Sequence, residues 1–467
     1  MDIFDIIGPV MVGPSSSHTA GAVRIGNMAQ ILFGKSPEKV SVTLFGSFAK
    51  TGKGHGTDKA VIAGLCGFKM DDERIRDVFN LCGFEYEILK DENEDYHPNT
   101  VLIEMEHGDE KMAVRGASIG GGRIEINEIN RIPVRFSDNN NTLILFHKDK
   151  VGVVAGVTKW LSDNGVNIAF MSVFRLAKGQ DAITIIETDA AVPESGLMSA
   201  AEIEKAVWFE KKQISEKERL LEILSVMRSS IAYGLRNSGK TESGMAGGDA
   251  CLMKKAIDDG KLPDDLNNRA ALYAMAVAET NAHMGRIVAV PTAGASGIVP
   301  GVLIALGEMN DFDDTALTDA LIVAGDIGMH IAHHATISGA QGGCQAECGS
   351  AASMAAASMV FLLGGDEEQQ VQAATLALKS LLGLACDPVA GLVEVPCIKR
   401  NATLTSVAIT SANMALCGVK SVIPFDEVLG AMKQIGTELP QCLKETAEGG
   451  LAVTPSGKRI NAEMEEK

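Results

Sequence analysis

The sequence has few aromatic residues and comparatively little positive charge. Aromatic side chains make up 4% of the 467 residues, so the interior must be filled with Ala, Val, Ile, Leu and Met, which favours closely packed helices over an aromatic-rich sandwich. The 42 basic residues are outnumbered by 60 acidic ones, and the formal net charge is −18. Because nucleic acids and anionic membranes attract basic patches, this balance argues against both as partners.

Signals for export or membrane insertion are also missing. The first five residues contain two aspartates and no basic residue, unlike the start of a signal peptide. The most apolar stretch, 287–307, is interrupted by Pro291 and Pro300, which predicts a buried helix and loop rather than a membrane span. Nine cysteines without an export signal are typical of a reducing compartment. We therefore expect a cytoplasmic protein.

Residues 1–136 mix helical and strand patterns. Alternation of apolar and polar residues predicts strands at 39–45, 84–89 and 100–105, separated by glycine-rich turns. The polar run 137–141 predicts a linker. This part is interpreted as an α+β domain that contacts substrate.

Residues 140–212 have the pattern of a compact βαββαβ unit. Strands are predicted at 142–146, 166–175 and 181–187, and helices at 153–161 and 200–209. This order resembles an ACT domain, a small module that usually binds amino acids at a paired interface. The resemblance implies a regulatory unit, in which Asp149, Gly152 and Asn167 occupy positions like those of an effector site.

Residues 216–467 have an almost wholly helical pattern. Helix-forming residues with a 3.6-residue period fill 220–231, 268–277 and 318–332, and no strand is predicted. The expected fold is therefore multidomain, with an α+β N-terminal domain, an ACT-like middle domain and an all-α C-terminal catalytic domain. The histidines His330, His333 and His334 fall on an apolar helix and are predicted to be core or interface residues.

Three cysteines of the helical region have unusual neighbours. Cys344 follows two glycines, Cys386 precedes Asp387-Pro388, and Cys397 follows a proline. Glycine and proline allow the backbone to approach a bulky inorganic group and to expose amides to it. The spacing alone matches no local metal motif, and small buried hydrophobic residues would fit equally well.

The N-terminal region contains two further polar motifs. Serines and a histidine at 15–19 precede an amphipathic helix, where unpaired backbone amides favour an anion such as a carboxylate, although an ordinary capped helix explains them too. His55 lies in a loop between Gly54 and Gly56, and we expect its imidazole to be exposed or mobile.

Segments 343–347, 386–392 and 395–402 resemble the iron–sulfur-dependent L-serine dehydratase (L-serine ammonia-lyase) family, and 13–21 resembles the second signature of that family. Further matches lie at 243–249 and in the two segments 281–286 and 291–297. Together they cover nearly the whole chain. The organisation is that of a single-chain form, with the ACT-like unit between the beta-like and alpha-like parts.

The resemblance implies deamination of L-serine to pyruvate and ammonia by iron-assisted β-elimination of water at a 4Fe–4S cluster, without pyridoxal phosphate. It implies Cys344, Cys386 and Cys397 as cluster ligands, with one iron left open; Cys348 and Cys442 remain rival fourth ligands. His55 or His18 would act as the base. The implied substrate-binding residues are Ser15, Ser16, Ser17, Thr19, Asn281, Lys399, Arg400 and Asn401.

Two alternatives stay open at this point. A related lyase acting on L-threonine, L-cysteine or a hydroxy acid would use the same iron-assisted elimination. A non-catalytic amino-acid sensor would use only the ACT-like unit and leave the cysteine and histidine motifs unexplained. In the enzyme interpretation the histidines and the cysteines lie in different regions, so we expect a composite site between them. We also expect a homodimer or a larger homo-oligomer.

Overall fold

The computed structural model describes residues 2–52, 55–91, 95–138, 140–192, 197, 202–210 and 214–465. Buried apolar side chains within these ranges form three large clusters, one in each region of the chain.

The N-terminal region combines a six-stranded sheet with two helices packed on it. Predicted strand 39–45 is observed with the same bounds, and the predictions at 84–89 and 100–105 are confirmed with small shifts. The elements are β1 (Val10–Val12), α1 (Gly21–Phe33), β2 (Lys39–Phe45), α2 (Gly46–Thr51), α3 (Thr57–Leu65), β3 (Glu85–Asp91), β4 (Thr100–His107), β5 (Glu110–Ser118), β6 (Ile124–Ile129) and β7 (Ile132–Phe136). The sheet order is β3-β2-β4-β5-β6-β7, with only the β2–β3 pair parallel.

Helices α1 and α3 approach each other very closely at two glycines. A Cβ atom on Gly26 would lie 2.4 Å from the Val61 carbonyl oxygen, and one on Gly64 would lie 2.2 Å from the Val23 carbonyl oxygen. Only residues without a side chain fit this crossing, because any Cβ would collide with backbone. The crossing fixes the turn before α1 relative to the loop before α3.

The middle region forms a four-stranded antiparallel sheet. Its strands lie in the order β11 (Ile203–Phe209), β8 (Asn141–Lys148), β10 (Asp181–Thr188) and β9 (Ile168–Arg175). Its three predicted strands are confirmed, but the predicted helix at 200–209 is wrong, because 203–209 forms the edge strand beside β8. Residues 200 and 201 lie outside the described ones, and Leu197 before them is helical. The elements are β8 (Asn141–Lys148), α4 (Val153–Asp163), β9 (Ile168–Arg175), β10 (Asp181–Thr188) and β11 (Ile203–Phe209).

The two faces of this middle sheet belong to different cores. Ile144, Ile183 and Ile185 join the apolar cluster of the N-terminal region. Leu145 and Ile186, on the opposite face, pack in a separate cluster with α4. The alternation of β-strand side chains thus attaches the middle unit to the N-terminal one.

The remaining region is helical with one exception. The expectation of no strand is wrong at Arg286–Val288 (β12). This short strand pairs antiparallel with β1, so that Val10 lies opposite Val288. The pairing follows from the N-terminal arm, whose Phe4, Ile7 and Met11 are buried in the helical core. The elements are α5 (Glu216–Gly234), α6 (Asp249–Asp258), α7 (Leu266–Ala282), β12 (Arg286–Val288), α8 (Ile298–Met309), α9 (Asp314–His334), α10 (Gly339–Gly342), α11 (Ser350–Leu362), α12 (Glu367–Lys379), α13 (Cys397–Leu416), α14 (Phe425–Glu438) and α15 (Pro455–Glu465).

Helix α9 is the one described helix that is long and apolar enough to cross a membrane, judged by length and composition alone. Half of its most apolar window is buried inside the protein. Leu317, Leu321 and Ile331 on this helix belong to the helical core. A core helix satisfies the same test, so this feature is weak evidence for a membrane span.

Candidate functional site

The turn before α1 holds His18 between two hydroxyl groups. Residues 16–20 form a π-helical turn, and the Ser15 Oγ atom caps it by accepting a hydrogen bond from the His18 backbone N–H at 3.2 Å. The same Oγ lies 3.3 Å from His18 Nδ1, and Ser47 Oγ lies 3.0 Å from His18 Nε2. Both ring nitrogens therefore face a hydroxyl group that donates or accepts as the tautomer requires.

His55 lies directly against His18. The ring centroids are 4.6 Å apart at an interplanar angle of 67°, and Thr19 Oγ1 donates a hydrogen bond of 2.8 Å to the His55 carbonyl oxygen. The expectation of an exposed imidazole is wrong, since His55 is 1% exposed. His55 is covered by other parts of the fold, including the backbone near Gly391.

Burial keeps both imidazoles neutral at pH 7. It lowers the pKa of His55 to about 4, and the nearby backbone of Gly391 opposes only part of that shift. Burial, followed by the charge of His55, also lowers the pKa of His18. Neither ring nitrogen of His55 has a well-formed hydrogen-bond partner among the described residues. His55 thus offers an unprotonated nitrogen in a water-poor setting.

The cysteines singled out in the sequence converge in the helical region. Cys344 precedes a π-helical turn, Cys386 lies in the loop after α12, and Cys397 opens α13. Cys344 and Cys386 are buried and Cys397 is half-buried. Burial raises the pKa of Cys397, and the charge of Cys344 adds to this shift. Burial also raises the pKa of Cys386, to which the charges of Cys344 and Cys397 contribute. The three thiols therefore lie within electrostatic reach of one another.

Both rival ligands lie close to this group. A hydrogen bond with the Cys348 thiol lowers the pKa of Cys344 and raises that of Cys348. Cys442 lies in the short turn 441–443, and the Cys386 backbone N–H donates a 2.9 Å hydrogen bond to the Leu443 carbonyl oxygen. The geometry leaves both residues as candidates.

Two carboxylates and one guanidinium border the thiols. Glu347 Oε2 lies 3.9 Å from Cys386 Sγ, and burial raises the pKa of Glu347. Burial, with the charges of Glu347 and Cys344, raises the pKa of Glu445 to about 8. Burial lowers the pKa of Arg400, but interactions with Cys344 raise it, and the net shift is upward. Arg400 is the cation that balances this group.

The sequence predictions did not include these two glutamates. Glu347 lies inside a recognised cysteine segment, between Cys344 and Cys348, so its position was a usable signal. Glu445 offered no such signal. Its place depends on a backbone bond from the Glu445 N–H to the Cys386 carbonyl oxygen, 2.9 Å long.

The donor set fits a group larger than a single ion. Among the described residues, no trio that includes these cysteines has its ligand atoms within 4.8 Å of one another. One zinc ion, with Zn–S bonds of about 2.3 Å, needs its sulfurs within roughly 4 Å. Nearby, Ser296 Oγ and Asn281 Oδ1 are buried without a hydrogen-bond partner in the described chain. Wider spacing and unpaired polar atoms are what a bound cluster with substrate requires.

The loop 291–297 is held beside the thiols by two asparagines. Asn401 Nδ2 donates to the Gly294 carbonyl oxygen at 2.7 Å, and Asn281 Nδ2 donates to that of Ala293 at 3.0 Å. Arg400 donates to the Ala385 carbonyl oxygen at 2.8 Å. Lys399 instead forms an exposed ion pair with Asp249. The structure therefore brings Asn281, Arg400 and Asn401 to the cysteine group and places Lys399 at its outer side.

The two halves of the site meet at residues 389–391. This short turn lies between Cys386 and Cys397 in sequence, and its Gly391 backbone reaches His55. A cavity of about 330 Å³ opens beside it, bordered by Lys50 from the N-terminal region and by helical-region residues around Gly391, Thr446 and Lys458. The N-terminal and helical regions, which were predicted to form a composite site, thus contact each other at this turn.

The predicted effector residues do not form one group within the chain. Asp149 pairs with Arg175 and accepts a 2.9 Å hydrogen bond from the Gly179 N–H, close to Gly152 at the start of α4. Asn167 lies beyond the other end of that helix, where its Nδ2 donates a 2.6 Å hydrogen bond to Asp189 Oδ2. A helix of 11 residues is ~16 Å long, which separates Asn167 from the others.

Comparisons with known proteins point to one family over nearly the whole chain. The family model described as serine dehydratase alpha chain matches residues 160–452, and that described as serine dehydratase beta chain matches residues 1–83. The L-serine dehydratase of Streptomyces coelicolor is 34% identical over 493 residues, covering 97% of this chain and 98% of the relative. L-serine dehydratase 1 of Escherichia coli is 31% identical, covering 97% and 99%. The probable L-serine dehydratase alpha chain of Bacillus subtilis is 48% identical over 242 residues, covering 52% and 80%.

Proposed function

The chain belongs to the single-chain serine dehydratase family, and on that premise we propose that it is an L-serine ammonia-lyase that forms pyruvate and ammonia. The observation that carries the proposal is the contact of His55 with the turn between Cys386 and Cys397. It supports a site that combines a neutral base with thiols that would bind a Lewis acid, the two chemical parts that the elimination of water from serine needs.

We assign Cys344, Cys386 and Cys397 as the residues that would hold a 4Fe–4S cluster. Buried thiols are costly to ionise unless a cation is present, and the described residues supply Arg400 for this purpose. When bound, a cluster with one open iron supplies a Lewis acid that accepts the charge of the departing hydroxyl group. No organic cofactor is needed for this assignment.

The N-terminal turn would bind the carboxylate of the substrate. Ser15 and Thr19 use their hydroxyl groups to hold His18 and His55 in place. We therefore assign the carboxylate to Ser16 and Ser17 and to the backbone N–H groups at the start of the helix, where an anion is favoured. In the helical half, Asn281 Oδ1 and Ser296 Oγ have no hydrogen-bond partner among the residues that the structure describes, and they would contact the polar groups of serine.

His55 would remove the Cα proton. Its low pKa keeps it unprotonated at pH 7, and its burial excludes water that would compete for the proton. Loss of the Cα proton and of the β-hydroxyl as water leaves aminoacrylate, which tautomerises and hydrolyses to pyruvate and ammonia. His18 packs against His55 and would keep its ring in position.

The middle unit would regulate this reaction. Its strand order and its exposed turn at Asp149 and Gly152 are features of an amino-acid-binding module, so we propose an ACT-like effector site at that end of α4. Asn167 would belong to the same site only if a second copy of the unit contributed it. This proposal includes a cytoplasmic homo-oligomer.

Anaerobic purification followed by a visible absorption scan, an iron assay and product analysis tests the proposal. We expect an iron–sulfur band, about four irons per chain, and pyruvate from L-serine faster than 2-oxobutyrate from L-threonine. Faster turnover of L-threonine or L-cysteine would assign another substrate within the same chemistry. Full activity in protein without iron would contradict the cluster.

A further inference from the structure

A second group of ligand-type side chains lies where α9 ends. His330 and His334 are one helical turn apart at the end of α9, and Asp426 lies in the first turn of α14. One ligand atom from each lies within 4.8 Å of the others. The two imidazole centroids are 4.2 Å apart, and His330 Nε2 lies 2.6 Å from Asp426 Oδ1. The prediction of a core residue is wrong for His334, which is exposed, and the alternative of an interface histidine stays a prediction.

The group is built on rigid elements. Ile331 on α9 and Phe425 on α14 are both buried in the helical core, which fixes the two helix ends relative to each other. The His330 ring stacks on Phe425 at a centroid distance of 5.5 Å and an angle of 16°. Side chains on anchored helices hold their positions better than side chains on loops.

The hydrogen bond of His334 sets its tautomer. His334 Nδ1 lies 2.9 Å from the His330 carbonyl oxygen, which can only accept, so Nδ1 carries the hydrogen. The Nε2 atom then keeps its lone pair, which is the usual arrangement of a metal-binding imidazole. The location at the C-terminal end of a helix also favours a positive charge.

We propose that His330, His334 and Asp426 bind one divalent transition-metal ion of the zinc type. Two imidazoles and a carboxylate suit Zn²⁺, Co²⁺ or Ni²⁺, whereas Mg²⁺ and Ca²⁺ prefer oxygen ligands alone. Asp426 would turn from a hydrogen-bond partner of His330 into a metal ligand. A simple ion pair between His330 and Asp426 is the competing interpretation. That ion pair does not include His334, so a substitution of His334 distinguishes the two interpretations.

The test is an anaerobic calorimetric titration of the untagged holoenzyme with ZnCl₂. The wild type should bind one more Zn²⁺ per chain than His334→Ala and His330→Ala. His333→Ala is the matched control, because His333 is exposed and directly precedes His334 in the same helix. It should bind as the wild type does. Zn²⁺ binding at exposed thiols is the same in all four proteins and cancels in the comparison.

A second measurement guards against misfolding. Zn²⁺ should raise the Tm of the wild type and of His333→Ala, because a ligand that binds the native state stabilises it, and should raise that of His334→Ala less. Iron content and pyruvate formation without added Zn²⁺ should be equal in all variants. Equal zinc stoichiometry and affinity in the wild type and His334→Ala would overturn the proposal, whether or not the chain is a serine lyase.

Discussion

The two halves of the candidate site differ in whether their buried groups need a counter-charge. In the N-terminal half, hydroxyl groups of Ser15 and Ser47 face both nitrogens of His18. In the helical half, burial disfavours the ionised forms of Cys386, Cys397 and Glu347, and Arg400 and Thr292 offset only part of this effect. The first half needs no counter-charge, because its imidazoles are neutral, although neither ring nitrogen of His55 has a well-formed hydrogen-bond partner in the described chain. Under the proposed function, the second would be completed by a bound positively charged group, so removal of its ligands should have consequences that no change in the first half has.

The largest effect is expected from the thiols. Cys344→Ser, Cys386→Ser or Cys397→Ser should abolish bound iron and serine turnover together, because a hydroxyl group is a poor ligand for iron in a cluster. Iron assay, visible absorption and pyruvate release measure this.

Cys417→Ser is the matched control for the thiol variants. Cys417 lies at the far end of the helix that Cys397 opens and is exposed. Its iron content and turnover should equal those of the wild type. Full iron content in any of the three ligand variants would remove that residue from the assignment.

Arg400 and Lys399 are adjacent and allow a finer comparison. Arg400→Gln should lower iron content and cost about 3 kcal/mol of unfolding free energy, since removing one partner of a buried charged group leaves the other uncompensated. Lys399→Gln breaks an exposed ion pair and should change stability by no more than ~0.5 kcal/mol. Denaturant unfolding and iron assay measure both. Equal losses in the two variants would contradict the distinction between them.

The pH profile tests the burial of His55. Because its folded pKa is lowered from 6.5 to about 4, the neutral form that acts as base persists as the pH falls. Activity that depends on this form is lost only as the pH approaches 4. We therefore expect kcat/KM for serine to stay level from pH 7.5 to 5.5. A tenfold fall centred near pH 6.5 would place an ordinary, solvated histidine in that role.

The smallest effect is expected from the middle unit. Asp149→Asn should leave iron content unchanged but alter the lag or cooperativity of serine turnover, because Asp149 holds the turn with Arg175 and Gly179. Lys159→Gln is the control, since Lys159 forms an exposed ion pair with Asp163 on the same helix. Progress curves at varied serine concentration measure the change. Identical curves for Asp149→Asn and the wild type would make the unit a spacer.

Local patterns predicted the sheets better than the connections between regions. Strand 39–45 was predicted with the observed bounds because Val40, Val42 and Leu44 alternate and are all buried. The prediction failed at 203–209, where helix-forming residues such as Glu204 and Lys205 are drawn into a strand by pairing with β8. Strand β12 was missed because its three residues pair with Val10–Val12, far away in sequence.

The site was predicted in parts. Resemblance, rather than spacing, singled out Cys344, Cys386 and Cys397, because their positions in sequence match no local metal motif. The exposure of His55 was predicted wrongly, since a glycine-flanked histidine is usually exposed and contacts with distant residues, among them His18 and Gly391, bury this one. Burial that depends on contacts between regions leaves no local pattern in the sequence.

The most direct test of the central claim, that the helical half holds the cluster and the N-terminal half moves the proton, is His55→Gln. Anaerobically purified, this variant should keep the iron content and visible spectrum of the wild type, because His55 is not a proposed ligand. Its kcat for L-serine should fall by roughly 10²–10⁴, the usual contribution of a general base. A wild-type kcat, or a loss of iron in step with activity, would contradict the division of work between the two halves.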